Sequence, residues 1–361
     1  MAQPTLSDVH VNAILTNMSN MYSQDDKNFI ARDVFPLIPV PKLSDRYFTY
    51  SRADFNRNQM RKRALSSMVA TSGYRVDNQP SYLCDVWALG RPIDDQLRGN
   101  ADSPLNLDLE ATRFLTNAAL INREYSWFST FFTTGVWTNQ WAGGAGASGA
   151  YPVTPPTTPA TTSYTFLKWS DPSSTPIQDM RHLKTITQLT CLYRPNKAVI
   201  SRFVLDTLLD HPDFVARILY GQKDGKSPAT VVLQAIAEIF ELDRVHVADA
   251  IYNTAGEFAG PDSGATYATA TYNAGVNAGE NNQFFAGNNM WIGYTPAAPG
   301  IMTPGCGYTF AWTGYFGATA AGERVSSYYF QPTRSTNVEI ESAYAQKLVS
   351  ADMGAFLSNC I

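Results

Sequence analysis

Residues 105–134 read LNLDLEATRFLTNAALINREYSWFSTFFTT, and Gly135 follows them. Leu107, Ala111, Phe114, Ala118, Ile121, Tyr125, Phe128 and Phe132 recur along this stretch at steps of four and three. That rhythm predicts one helix over about 105–134, with those eight residues as its core face. Ser103-Pro104 supplies an N-cap and a first-turn proline, Asp108 and Glu110 suit the positive end of the helix dipole, and Gly135 stops the helix. At 1.5 Å per residue such a stripe runs for about 39 Å, long enough to lie across a large core. The stop at Gly135 and the β-rich remainder argue against a coiled coil.

Upstream, residues 1–30 are polar and weakly patterned, and read as an arm that rests on another surface. Ala31 to Lys42 carries prolines at 36, 39 and 41, which exclude a helix and a central strand but suit an extended edge segment. Tyr47-Phe48-Thr49-Tyr50 continues it as a short aromatic strand. Arg52, Arg57, Arg61, Lys62, Arg63 and Arg75 then crowd residues 51–85, Gly73 marks a tip or bend, and Val76 to Leu89 is extended again. Two strands with a basic excursion between them describe a loop that projects from a body and needs a neighbour to rest on. The cluster Arg57, Arg61, Lys62 and Arg63 admits three readings. Nucleic-acid binding has only Phe55 nearby for stacking; a solvated loop face is the plain reading; a docking surface for carboxylates on a neighbouring subunit is the third, with charge setting register.

Downstream, residues 138–165 are rich in Gly, Ala, Pro and Thr and read as an exposed insertion that supplies no core. A helix is expected from Thr175 to about Thr190, with Ile177, Met180, Leu183 and Ile186 to Leu189 inward. Helices near 202–209, 213–220 and 228–240 alternate with strands near 197–200 and 244–247. A loop rich in Gly, Ala, Asn and Thr covers 253–289, strands follow at 290–294 and 310–312, and the alternation in Thr336 to Tyr344 marks a terminal strand. The class is α+β.

Of the 361 residues 44% are hydrophobic and only 16% charged, where soluble proteins average roughly 25%. Aromatic residues reach 12%, a bias found at protein interfaces. A net charge of −4 gives no global attraction for nucleic acid or an anionic membrane. No apolar run reaches the roughly 18 residues of a transmembrane helix, and Met1 to His10 lacks the basic start and apolar core of a secretory signal. Cys84, Cys191, Cys306 and Cys360 are far apart, which fits buried thiols and folding in a reducing cytoplasm.

Motifs for chemistry are missing. Gly221-Gln222-Lys223-Asp224-Gly225-Lys226-Ser227 has three residues between its glycines where a phosphate loop has four, and it follows a helix. His10, His182, His211 and His246 lie in separate segments without metal-ligand spacing. There is no G-x-S-x-G elbow, and Asp25-Asp26 and Asp94-Asp95 read as solvated pairs. No catalytic residue, cofactor or metal is expected.

The order of elements nonetheless resembles a known family. An arm, a Phe-Pro extended segment, a basic projecting loop, a long helix, a central α/β region and a terminal Val-Glu-Ile-Glu strand follow one another as in the major capsid proteins of tailed double-stranded DNA bacteriophages. Their fold is named after phage Hong Kong 97. The residues that carry the resemblance are Val34-Phe35-Pro36-Leu37-Ile38-Pro39-Val40, Asp45-Arg46-Tyr47-Phe48 and Asn337-Val338-Glu339-Ile340-Glu341, with Asp352-Met353-Gly354. It implies an arm and junction over 1–45, an extended loop over 46–95, a peripheral domain from 96–194 and 326–361, and an axial domain over 195–325. It further implies a structural protein that forms pentamers and hexamers of an icosahedral or prolate head. Scaffolding and portal proteins would attend assembly in the host cytoplasm, and a decoration or cementing protein is a further partner. The virion shell would enclose double-stranded DNA without reading its sequence, and no membrane is involved. Only about 30 residues precede the Phe-Pro segment, so a separate scaffold is expected; no Lys–Asn cross-link pair stands out. A phage decoration or tail protein is the alternative, and an enzyme with a dispersed site the third possibility.

Overall fold

The computed structural model describes residues 24–101, 105–152, 164–221, 233–254, 282–300, 303–315 and 318–361. Five strands form one sheet around Ser335–Leu348 as its axis. Ser335 to Ser342 pairs antiparallel with Glu323–Phe330 on one side and with Asp85–Asp94 on the other. Further along, the same strand pairs with Gly307–Trp312, and Leu37–Val40 joins that strand in parallel at the sheet edge. The edge position accommodates Pro39, which has no N–H to offer a second neighbour. Alternation in the axial strand works as the pleat demands: Val338 and Ile340 are buried, while Glu339 and Glu341 take the opposite face.

Helix Leu107–Phe131 crosses this sheet, and Asn106 caps it by accepting the Leu109 N–H at 3.1 Å. Ser103 and Pro104 lie outside the described residues. The buried residues are Leu107, Ala111, Leu115, Arg123, Glu124, Trp127, Phe128 and Phe131. The expected face therefore needs correction. Leu107, Ala111, Phe128 and Phe132 are buried and Ala118 and Ile121 half-buried, but Phe114 and Tyr125 are about half exposed, at 50% and 51%. Steps of four residues advance about 40° beyond a full turn, so the buried line winds around the helix. Its first turns meet Ile93, Val338 and Ile340 of the sheet. Its last turns enter a second cluster with Phe35, Trp291 and Phe356. A four-three rhythm stays on one face and suits a helix with one partner; this helix has two.

Six strands form the other sheet, in the order Arg244–Ala248, Lys197–Ser201, Met290–Gly293, Gly354–Ser358, Asn139–Gly144 and Tyr164–Leu167. Helix Pro176–Cys191 and the shorter Arg202–Leu209, Pro212–Gly221 and Leu233–Ile239 supply Ile177, Met180, Leu183, Val204, Leu208, Phe214 and Ile236 to the core against it. Leu189 is exposed, on the opposite side from the expectation, because it falls outside the arc of Ile177, Met180, Leu183 and Ile186.

Two further expectations change. The stretch 138–165 does supply core: Asn139–Gly144 and Tyr164–Leu167 are paired strands, and Trp141 is wholly buried. Its glycines mark close backbone approach instead of looseness, since a Cβ on Gly143 would sit 1.9 Å from the Asn359 carbonyl oxygen. The strand pairing also crosses the expected divisions at 194/195 and 325/326. Strands from 139–167 and 354–358 share a sheet with 197–201, while Gly307–Trp312 belongs with Ser335–Leu348. Residues 222–227 lie outside the described residues, as does most of the expected loop over 253–289.

Candidate inter-subunit surfaces

The basic excursion is a two-stranded projection. Ser44–Arg46 pairs with Ser81–Leu83, and Thr49–Tyr50 with Val76–Asp77. A single helical turn, Arg52–Phe55, follows, and residues 56–75 carry neither helix nor strand. Tyr50, Phe55 and Tyr74 cluster with ring centroids 5.1–6.3 Å apart, so more aromatic surface gathers here than the local sequence suggests. Asp54 organises the neck: it accepts the Arg75 N–H at 3.1 Å and lies 3.8 Å from Arg57 and 3.5 Å from the Arg75 guanidinium. That N–H holds the Asp54 carboxyl below the usual range. Arg52 ties the base of the loop to Asp352 at 2.9 Å.

Beyond the neck the loop is mostly exposed among the described residues. Of the four basic residues singled out, Arg57 is engaged by Asp54, and Arg63 Nε donates to the Ser67 carbonyl at 2.9 Å. Arg61 and Lys62 are exposed and make no ion pair or hydrogen bond among the described residues. Met60, Leu65 and Met68 are 92%, 100% and 96% exposed. These three were missed in the sequence because they follow neither a strand nor a helix period. Their signal was the absence of any period in a stretch that still carried apolar side chains. Solvent-exposed aromatic groups continue on the body at Trp87, Phe114, Tyr328, Tyr329 and Phe330. Exposed apolar surface of this kind is found at protein or membrane contacts and at ligand grooves.

The start of the described chain is held tightly. Phe35 is fully buried, edge-on to Trp127 with centroids 5.7 Å apart and 4.9 Å from Phe131. The helical turn Ala31–Val34 has no side-chain cap of its own at Ile30. Glu124, from the long helix, accepts the Ile30 N–H at 3.1 Å and the Ala31 N–H at 2.9 Å in its place. Burial pushes the Glu124 carboxyl up to about 7, although these two donors pull the other way. Arg123 beside it is also buried, lies 2.8 Å from Glu323 and covers the Tyr344 ring at 4.7 Å. A cavity of about 90 Å³ remains between Asp26, Arg32, Leu120 and Arg123. Lys197 Nζ donates to the Asp33 carbonyl at 2.5 Å, and Arg244 lies 3.5 Å from the Asp33 carboxylate.

Arrangements that could do chemistry resolve into structural roles. Ser174 Oγ and His211 Nε2 are 2.9 Å apart, the distance of a nucleophile and its base. His211 Nδ1, however, accepts the Asp213 N–H at 3.2 Å, so the ring proton sits on Nε2, which faces both Ser174 Oγ and the Asp171 carbonyl oxygen at 3.3 Å. That imidazole has no lone pair to offer the hydroxyl. Asp179 is buried and accepts from Trp169 Nε1 at 3.0 Å and Tyr151 Oη at 2.9 Å, which pins two core rings. Lys184 is buried and donates to the Phe240 and Glu241 carbonyls at 2.5 and 2.7 Å, just past helix Leu233–Ile239. Desolvation lowers its ammonium to about 8. Among the described residues no group of His, Cys, Asp or Glu is placed to hold a metal ion, and no helix is long and apolar enough to cross a membrane.

No family model and no curated protein matches the chain. Solved structures do. A phage-related protein from Bordetella bronchiseptica superposes with a TM-score of 0.61 at 16% identity, covering 93% of each chain. The mature capsid of bacteriophage PhiM1 gives 0.54 at 10% identity, covering 97% of this chain and 92% of that one. The encapsulin of a holo-SrpI complex from Synechococcus elongatus gives 0.51 at 9%, covering 99% and 96%. The chain has the Hong Kong 97-type fold. The likeness spans nearly its whole length.

Proposed function

We propose that this chain is the major capsid protein of a tailed bacteriophage, a structural subunit and not an enzyme. One observation carries the reading most directly: a projecting loop with free basic and apolar side chains stands on a Hong Kong 97-type body. Among the described residues nothing buries Met60, Leu65 and Met68 or pairs Arg61 and Lys62; a neighbouring subunit would do both, so that part of the chain's stability belongs to the assembled lattice. Pentamers and hexamers closing into a head, formed in the host cytoplasm with scaffold and portal, follow from this reading. The domains fit it with the sheet around Ser335–Leu348 as the peripheral body and the sheet containing Lys197–Ser201 as the axial one. Low overall charge suits a container that must not grip its DNA.

Likeness to the Synechococcus encapsulin favours a second reading, a shell around protein cargo. A decoration or tail protein would instead remain a small oligomer. Expression of the full chain with the proteins encoded beside it, followed by sedimentation and negative-stain microscopy, separates the three. Closed shells that package nuclease-resistant DNA are expected. Shells holding only protein would shift the reading to a cargo compartment, and a uniform small oligomer would end it.

A further inference from the structure

The Val-Glu-Ile-Glu strand places two carboxylates on the sheet face that the long helix does not cover. Val338 and Ile340 point into the helix-side core, and Glu339 and Glu341 point away from it. Around Glu339 that face is low, since its cross-strand neighbours are Gly90 and Ser326. Glu341 lies between Ala88 and Arg324. A Cβ on Gly90 would lie only 3.0 Å from Glu339 Cγ, so the glycine leaves room for the glutamate side chain to lie over it. Exposed Tyr328, Phe330 and Val86 flank the pair.

Glu339 accepts the Tyr328 hydroxyl at 2.6 Å and has no cation partner among the described residues. Glu341 accepts the Tyr315 hydroxyl at 2.8 Å and has Arg324 at 3.6 Å. Several other surface carboxylates are engaged more closely, as Asp45 is by Lys42, Asp108 by Arg98 and Asp352 by Arg52.

We propose that Glu339 and Glu341 receive Arg61 and Arg63 from the loop of a second copy of this chain. The spacing agrees. Two residues along a strand span about 6.8 Å, and Arg61 and Arg63 stand two apart in a segment free of helix, which spans about the same when extended. Chemistry agrees too: the loop offers guanidinium groups among exposed methionines and Leu65, and the face offers carboxylates among exposed rings. Arginine can bind a carboxylate through two N–H donors, and rings beside it accept the apolar side chains. Displacing the Ser67 carbonyl from Arg63 frees its Nε for the contact. The pairing rests on the shell reading above, and it names the face on which the loop lies.

Two measurements test it. First, the double variants Arg61→Glu/Arg63→Glu and Glu339→Arg/Glu341→Arg are compared with their combination by particle yield, after circular dichroism shows each to be folded. Each double variant is expected to lose particles at least tenfold, and the combined charge swap to recover them. A combination no better than its parents overturns the pairing. Second, Arg61→Cys and Glu339→Cys chains are prepared separately, mixed and treated with a short bismaleimide, which bridges the gap that an arginine–glutamate pair leaves between its Cβ atoms and a disulfide cannot; the four native thiols are buried. A cross-link between the two variant chains is expected. Shells without that cross-link would overturn the pairing and leave the shell reading intact; the cross-link without shells would do the reverse. Neither cross-link nor shells would remove both.

Discussion

Glu124, in the middle of the long helix, supplies the N-terminal cap that the turn beginning at Ala31 lacks, accepting the Ala31 N–H at 2.9 Å. A carboxylate from 93 residues away thus does for the arm what a Ser or Asp at Ile30 would do locally. Deep burial makes that carboxylate responsive to pH.

Its folded-state value is raised from 4.5 to about 7. Both folded and unfolded forms are neutral below about 4.5, so the contribution to stability is complete there and falls as pH rises toward 7. Chemical denaturation of the full chain and of Glu124→Gln at pH 5 and pH 8 measures it. The stability difference between them should change by about 3 kcal/mol across that range. Parallel profiles would mean that Glu124 ionises as an ordinary carboxylate.

Adjacent residues on the long helix should behave oppositely. Leu115 is 1% exposed, and Leu115→Ala should lower stability by about 2–5 kcal/mol. Phe114→Ala should cost the isolated chain less than about 1 kcal/mol, since half of the ring faces solvent and its main partner is Arg91 at 5.9 Å. Urea denaturation of both variants decides the matter. Equal losses would show that the stripe read from the sequence is the true core face.

Gly307→Ala places a methyl 2.4 Å from the Phe35 ring and 2.9 Å from the Lys347 carbonyl oxygen. Neither neighbour can retreat freely, because Phe35 is packed between Trp127 and Phe131. The variant should lose about 1–3 kcal/mol and free the arm junction, seen as faster proteolysis ahead of Phe35. A wild-type digestion pattern would show that the sheet absorbs the methyl.

All four thiols are buried and unpaired. Burial pushes Cys84 up to about 11 and raises Cys306 and Cys360 as well, so thiolate is scarce at neutral pH. A water-soluble thiol reagent at pH 8 should label none of them in the time it labels all four in denaturant. Rapid reaction of the native protein would show local opening around the labelled cysteine.

Much of this was determined by the sequence alone, where the forces are local. Apolar spacing and Gly135 marked the long helix to within three residues at either end, and the run of prolines placed Leu37–Val40 at a sheet edge. Alternation set the two faces of Ser335–Leu348, and basic residues without an apolar period marked the projecting loop. Tertiary structure decided everything that depends on which partner an element meets. Two partners wind the buried line around the helix, so Phe114 and Tyr125 come out and Leu115, Trp127 and Phe131 go in. Close backbone approach turns a glycine-rich stretch into the core strand of Trp141. Glu124 could not be told from a surface glutamate, because its value lies in two N–H groups that only the folded chain brings to it.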